Sequence, residues 1–553
     1  MHTASTFTPA RIARSLMALA IAAAFPLHAM AQETPAAVTA AAVPAAPAPA
    51  AANKGQPNGE LESIIVTAQR RAENIRDVPM AITTLGGDKL DTLNGSGMDI
   101  RFLAGRTPSL NVESDYGRSF PRFYIRGLGN TDFDLNASQP VGLVYDDVVL
   151  ESPMLKGFPV FDVNQVEVLR GPQGTLFGRN SPAGVIKFES TRPSKKLEGY
   201  STLGFGNDGA VNFEGAINIP MGEEWAMRIS GLSQSRQDRV HNPRAGYTKD
   251  FEGYEDKAGR VLISYKPNAD FSALLNVHGR DMQGSATLFR ANIIKKGTNE
   301  IVDGFDYGSY PTDGGNEQTL SNGGGSLRLR YDFEGVTIHS ITGYEKAKFY
   351  SRGDVDGGYG ATFFSTMGPG FIPFPAETAD GMPRHSQLTQ EFRVESNNKG
   401  QWNWIAGAYY FDEKIVIDSI NFDSLTAGNP RDGFAQQQQK SRSGAAFGSV
   451  NYAVSDKLKL RAGVRYTIDR KDFVAQRFIT PFGGANVGPL KANPSSSNTS
   501  WDLSGTYELS PTTNLYARAA TGYRAPSIQG RVLFGDTISV AESEKALSVE
   551  AGI

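Results

Sequence analysis

The chain of 553 residues contains no cysteine. That excludes a disulfide scaffold, a thiolate metal site and a cysteine nucleophile. It also lacks net charge of one sign: 55 Lys and Arg stand against 58 Asp and Glu, a formal −3. The basic excess of a nucleic-acid-binding protein is therefore missing. Its six histidines are scattered without metal-ligand spacing, so neither a protein-held metal nor a cofactor is expected. Beyond the N-terminus no stretch approaches eighteen consecutive apolar residues, so no spanning helix is expected. What the chain has in excess is glycine, 60 residues or about 11 % against an average of ~7 %. Aromatics make up 10 % where the whole hydrophobic share is only 40 %. That mixture points to many short strands and turns. The length exceeds a single soluble core, leaving two or more domains or one large barrel.

Residues 1–31 read as a secretory signal peptide. Arg11 and Arg14 supply the positive start, Ser15 to Phe25 the apolar stretch, and Ala29-Met30-Ala31 the cleavage site. The apolar stretch is too short to cross ~30 Å of hydrocarbon. Residues 32–60 form a tether, almost only Ala, Pro, Val and Thr from Thr34 to Ala52. Such a composition stays solvated because it has no core to bury.

From about Glu198 onward, apolar and polar residues alternate with period two. Leu458, Leu460, Ala462, Val464 and Tyr466 face one way, and Lys457, Lys459, Arg461 and Arg465 the other. Leu327, Leu329 and Tyr331 alternate with Arg328, Arg330 and Asp332 in the same manner. Lipid outside and a wet lumen inside demand this pattern. Tight connections at Met221 to Glu224, Pro267 to Ala269, Glu334-Gly335, Asn397 to Gly400, Ser455-Asp456 and Ser510-Pro511 alternate with long ones. The long ones are Arg236 to Lys257, Asp281 to Asn322, Lys346 to His385, Ile417 to Ser441 and Lys471 to Ser497. Short turns alternating with long loops predict an antiparallel outer-membrane β-barrel over residues 198–553, with about fourteen strands. Residues 74–192 break the pattern with shorter strands punctuated by Gly and Pro, which predicts a compact α+β domain in front of the barrel.

Several segments of this chain resemble the TonB-dependent outer-membrane receptors. Residues 61–70, containing Ser63-Ile64-Ile65-Val66-Thr67-Ala68, are similar to their TonB box. Phe123-Tyr124-Ile125-Arg126-Gly127 and the run from Val166 through Arg170-Gly171-Pro172-Gln173-Gly174 to Asn180 resemble plug motifs. Gly522-Tyr523-Arg524-Ala525-Pro526 and Ser548-Val549-Glu550-Ala551-Gly552 resemble barrel motifs. The resemblance implies the outer membrane of a Gram-negative bacterium, a plug in the lumen, and a barrel of 22 strands of which this chain would carry about fourteen. It implies import without catalysis: a scarce solute is bound outside, and TonB with its inner-membrane proton-driven motor remodels the plug. A ferric siderophore leads as the solute, with cobalamin, haem or oligosaccharide open. Outer-membrane lipid and lipopolysaccharide would surround the barrel. The resemblance also implies a plug–barrel lock in which Arg126 and Arg170 meet Glu550 and a second glutamate beyond residue 553.

Read as residues, the box is an exposed, β-branched, extended segment suited to capture by strand addition; its alternative is an ordinary first plug strand. Arg170-Gly171-Pro172-Gln173-Gly174 lacks the Gly-Lys-Ser/Thr ending of a phosphate loop, and its glycines fit close packing within the barrel. Tyr145-Asp146-Asp147 and Glu167 lack a second catalytic partner and fit ion pairing in a wet lumen. Substrate contact falls to two loop clusters. One is basic (Arg236, Arg239, His241, Arg244) and one aromatic (Tyr359, Phe363, Phe364, Phe371, Phe374), groups suited to an anionic or aromatic chelate. A passive porin would lack a folded plug, and an esterase would need a Gly-x-Ser-x-Gly-like setting, which is not found.

Overall fold

A computed structural model describes residues 64–553 apart from 88–89, 91–96, 292, 296, 359–375, 399 and 425. Fourteen antiparallel strands, from Glu198–Phe205 to Glu544–Gly552, pair in chain order, and a short strand, Val487–Ala492, is added beside Leu458–Ile479. The two end strands do not pair with each other.

The alternation read from the sequence is an inside-out one. On Leu458–Ile479, Leu460, Val464 and Tyr466 are about half exposed, whereas Arg461, Arg465, Asp469 and Lys471 are buried. The apolar faces stand outward as a lipid-facing band and the charges point into the lumen. Aromatics gather at the short-turn ends of the strands: Trp225 stacks on Tyr265 at 4.1 Å and Trp402 on Tyr452 at 4.2 Å. Phe271, Tyr331 and Phe333 continue this girdle. Amphipathic rings at that level suit the headgroup region.

The short turns fall where the sequence places them, but two of the long loops are mostly strand. Trp402–Phe422 and Arg431–Ala453 leave only residues 423–430 between them, and Leu458–Ile479 runs well past Lys471. The 23 residues of Arg431–Ala453 reach roughly 75 Å, more than twice the hydrocarbon thickness. The hairpins therefore rise above the bilayer. Gln436 to Gln439 look like loop by polarity, yet they continue the ladder between Asp418 to Ile415 and Gln476 to Phe473.

The plug holds a five-stranded sheet in the order Ile82–Gly86, Val163–Arg170, Gly184–Ser190, Val141–Tyr145, Val148–Leu150, with only the Gly184–Ser190 and Val141–Tyr145 pair parallel. Its helices include the single turns Pro153–Lys156 and Gly174–Phe177. Its apolar core, including Val166, Val168, Ile186 and Phe188, is continuous with Ile341, Phe349, Met382 and Ile415 of the wall. Plug and barrel thus form one compact unit from Ile65.

Candidate functional site

Three groups of residues bear on function, two near the short-turn rim and one among the long loops. The first is the box segment. Ser63 lies outside the described residues. Ile64 and Ile65 are exposed, but Val66 and Ala68 are buried. Ile65 and Val66 pair with Asn74 and Glu73 in a two-residue ladder. Thr67 donates its N–H to Glu167 Oε1 at 2.7 Å, and its carbonyl accepts from Lys187 Nζ at 3.0 Å. Its hydroxyl contacts Glu167, Glu189 and Lys187. An exposed strand was expected here. The structure instead tucks the second half of the segment under Glu167, Lys187 and Glu189, because a buried carboxylate and ammonium need the polar backbone that Thr67 supplies.

Arg70 ends this segment and was not singled out in the sequence. Its guanidinium is 1 % exposed, 2.9 Å from Asp147 and 3.4 Å from Glu391 of the wall, and lies over the Phe177 ring. Asp147 also meets Arg328 at 2.7 Å. Burial alone would raise the Asp147 carboxyl, but Arg328 and Arg70 outweigh it and hold it well below the ordinary range. Asp146 and Asp147 form the turn between two plug strands, both with positive φ, which directs their carboxylates to opposite partners. Asp146 accepts from Ser190 at 2.9 Å and 2.6 Å. The lumen ion pairing expected of Tyr145-Asp146-Asp147 and Glu167 is what these contacts consist of.

The second group is the expected plug–barrel lock. Arg126 Nη2 lies 2.7 Å from Glu550 Oε2, and Glu550 Oε1 accepts from Ala81 N at 2.9 Å and Tyr516 at 3.2 Å. Arg170 behaves differently. Among the described residues it has no carboxylate within 4.0 Å, and its side chain reaches the carbonyls of Ala81 at 3.5 Å and Pro108 at 3.4 Å. Burial and the neighbouring Arg126 push the Arg170 guanidinium down, with Glu550 opposing. Its backbone N–H donates to Ala81 O at 3.1 Å, so Arg170 and Glu550 hold the two sides of one residue. A larger anchor went unread: Asp162 is gripped by Arg228 through three hydrogen bonds of 3.1, 2.8 and 2.5 Å, while Arg260 caps the carbonyls of Phe161 and Asp162 at 2.8 Å each. All three side chains are at least 94 % buried. The signal available was the alternation itself, which turns Arg228 and Arg260 inward. The glycines of the plug loop work at close approach. A Cβ on Gly174 would stand 2.8 Å from Thr521 O, and Gly178, at φ 86°, faces Arg465.

The third group is the loops. Arg236 donates to Glu252 O at 2.6 Å, Arg239 pairs with Glu252 at 2.6 Å, His241 with Asp250 at 2.9 Å and Arg244 with Asp313 at 2.8 Å. Within the loop Glu252 and Asp250 match Arg239 and His241, while Arg236 bonds a main-chain carbonyl and Arg244 pairs with Asp313 of the next long loop. Arg236 and Arg239 nonetheless line a cavity of about 990 Å³, together with Asp99, Arg101 and Arg118 of the plug and Tyr254. Tyr359, Phe363, Phe364, Phe371 and Phe374 lie outside the described residues.

A strand-rich plug docked against the inner face of an inside-out barrel matches two family models. Residues 74–185 match the TonB-dependent receptor plug domain, and 238–553 the TonB-dependent receptor-like β-barrel. The chain belongs to the TonB-dependent receptor family. The receptor is 22 % identical over 454 residues to the pesticin receptor of Yersinia pestis, covering 80 % of this chain and 61 % of that one. It is 24 % identical over 227 residues to the vitamin B12 transporter BtuB of Vibrio vulnificus, 40 % of this chain and 35 % of the other. It therefore spans about three-fifths or less of these curated relatives. It shares its fold with the ferric yersiniabactin uptake receptor FyuA of Yersinia pestis (TM-score 0.71, 18 % identity, 86 % of this chain, 69 % of that one). It also shares it with the siderophore receptor PiuA of Acinetobacter baumannii (0.65, 14 %, 89 % and 72 %). The receptor is an outer-membrane protein, and its lipid-facing band and aromatic girdle are the physical form of that location.

Proposed function

We propose that the receptor imports a chelated solute across the outer membrane, a ferric siderophore first among the candidates, by energy-coupled remodelling of the plug. The observation that carries this reading is the box segment. It leads at the short-turn rim into Arg70, whose ion pairs join the plug turn at Asp147 to the wall at Glu391. A pull by TonB on Ile64 to Ala68 would part Thr67 from its charged cover and then load Arg70. Strand addition suits that pull, since main-chain hydrogen bonds transmit tension along the strand direction. Arg126, Arg170 and Glu550 form the proposed lock that keeps the plug seated meanwhile. Arg236 and Arg239, at the cavity between plug and loops, are the proposed first contacts for the solute, and Tyr359, Phe363 and Phe364, which lie outside the described residues, are proposed as aromatic contacts. A passive porin is disfavoured because the lumen beside the fourteen strands is occupied by a packed domain. Among relatives, the named solutes of FyuA and PiuA support the siderophore reading.

The absence of native cysteine makes the test clean. Ile64→Cys should form a disulfide with a cysteine in the periplasmic partner in energised cells, more so with ferric siderophore present. No cross-link there, with expression and surface display intact, would overturn TonB coupling through this segment.

A further inference from the structure

The loop after Thr513–Arg524 turns inward. Ile528, Val532 and Leu533 bury against Ala435, Phe473 and Ala475 of the wall, and Arg477 holds Val532 O and Gly535 O at 3.2 Å and Asp536 at 2.7 Å. From this fixed base Arg531 reaches Asp380 at 2.7 Å. Asp380 sits on Glu377–Ser396 and pairs with Ser419, which pairs in turn with Ala435 under the loop base, so Arg531 reaches along the inner wall beside the plug. There it lies over the Phe133 ring at 5.2 Å. Tyr116 of the plug donates to the same Asp380 at 2.8 Å, and Ser419 to its other oxygen at 2.9 Å.

The surroundings of this guanidinium are acceptor-rich. Asp380 and Asp134 are buried carboxylates, with Asp132 close behind, and Arg531 is the principal cation facing Asp134. Gln437, 2 % exposed, directs its Nε2 at Asp134, while its Oε1 has no hydrogen-bond partner and faces Gly530 of the loop. A buried acceptor without a donor is costly unless a donor comes to it. Two carboxylates, an aromatic face and an unpaired amide oxygen form a receptor for an N–H-bearing cation. The chain's own arginine fills it from a loop, with its side chain 17 % exposed to the outside.

We propose that the apex formed by Phe133, Asp134, Asp380 and Gln437 is a subsite for a cationic, N–H-donating arm of the ligand, an alkylammonium or guanidinium group, and that such an arm displaces Arg531 and lifts the loop. The proposal deepens the import reading by assigning a charge class to part of the solute, and it rests on that reading. Displacement exchanges one charge-assisted contact for another, so the loop opens without an uncompensated carboxylate being left behind. A wholly anionic chelate gains nothing from Asp134 and Asp380 and leaves Arg531 in place.

The test uses the full chain in outer-membrane vesicles, with amide exchange of residues 525–541 as readout. Methylguanidinium chloride at millimolar concentration should speed that exchange several-fold beyond sodium chloride at equal ionic strength. Arg531→Gln should open the loop without any probe, and Arg531→Lys should keep it protected. Asp380→Asn, or Gln437→Ala should the first variant fold poorly, should weaken the methylguanidinium response. A ferric trihydroxamate bearing a free ammonium arm should bind about tenfold more tightly than its N-acetylated counterpart, the worth of one charge-assisted hydrogen bond. Methylguanidinium acting no more strongly than sodium, or as strongly in both variants as in the parent, would overturn the subsite. Exchange requires no transport, so absent energised uptake would sink the import reading and leave this result standing, and unchanged exchange would do the reverse.

Discussion

The two ends of the plug are held in different ways. At the short-turn end the ion pairs Arg70–Glu391 and Arg126–Glu550 are joined by bonds to main-chain carbonyls: Arg71 donates to Trp404 O at 2.6 Å, Arg76 to Pro511 O at 2.8 Å, and Asn514 of the wall to Arg76 O at 2.8 Å. Trp404 O and Pro511 O belong to the barrel backbone and cannot leave without it. At the loop end the partners are side chains or movable segments. Thr287 bonds Asp115 O at 2.6 Å and Gly117 N at 2.8 Å, Arg118 meets Gln234 at 3.0 Å, and Arg531 meets Asp380. One end gives way only to work done on it, and the other to a change of partner. That division suits the proposed import, in which a solute enters from outside without freeing the plug.

The sharpest way to break the comparison is at the short-turn end. Val66→Pro removes the N–H and fixes φ in the segment proposed for capture by a partner strand. Energised uptake should fall to background while surface binding of the solute persists. Uptake at parental rate would show that the segment is only a first plug strand.

Next in size is the buried anchor. Asp162→Asn leaves the buried Arg228 without its carboxylate, which costs about 3–5 kcal/mol. The plug should loosen, seen as antibiotic leakage and faster plug proteolysis. Glu550→Ala should do less, about 1 kcal/mol, because Arg126 is 38 % exposed and can be resolvated. It should show as faster exchange around Arg126 and Arg170 with little leakage. Stronger leakage from Glu550→Ala than from Asp162→Asn would place the main fastening at the lock.

The smallest effect is at the loop end. Burial pushes Asp134 up to about 7; Arg531 opposes, while Asp132 and Asp380 add to the rise and Gln437 opposes. Its charge, and its pull on a cationic arm, is present above that value and lost as pH falls through it. Methylguanidinium should therefore open the loop less well at mildly acidic pH. The native chain also binds a proton there that the unfolded chain has released, so this site's contribution to stability declines as pH rises from the ordinary carboxylate range to about 7. A flat response across that interval would remove Asp134 from the subsite.

The sequence carried the barrel because alternation is local. Arg461, Arg465 and Asp469 point inward for the same reason that Leu460, Val464 and Tyr466 point to lipid, and one strand suffices to read it. It carried the positions of the short turns but not the length of the hairpins, since Gln436 to Gln439 have loop polarity and gain their strand from neighbours on both sides. It could not show the half-buried box. The cover over Thr67 comes from Glu167, Lys187 and Glu189, at least a hundred residues away. Arg126 and Glu550 were paired through motifs, while Arg531 and Asp380 belong to no motif and meet only because a loop folds back against the inner wall.

The central claim is that transport depends on tension applied through residues 64–68. Its most direct measurement is uptake of radioactive iron as a ferric siderophore by iron-starved cells carrying the parent chain or Val66→Pro, with and without a protonophore. The account predicts uptake by the parent alone, abolished by the protonophore, and equal surface binding in all four samples. Uptake that survives the protonophore, or that Val66→Pro retains, would contradict it.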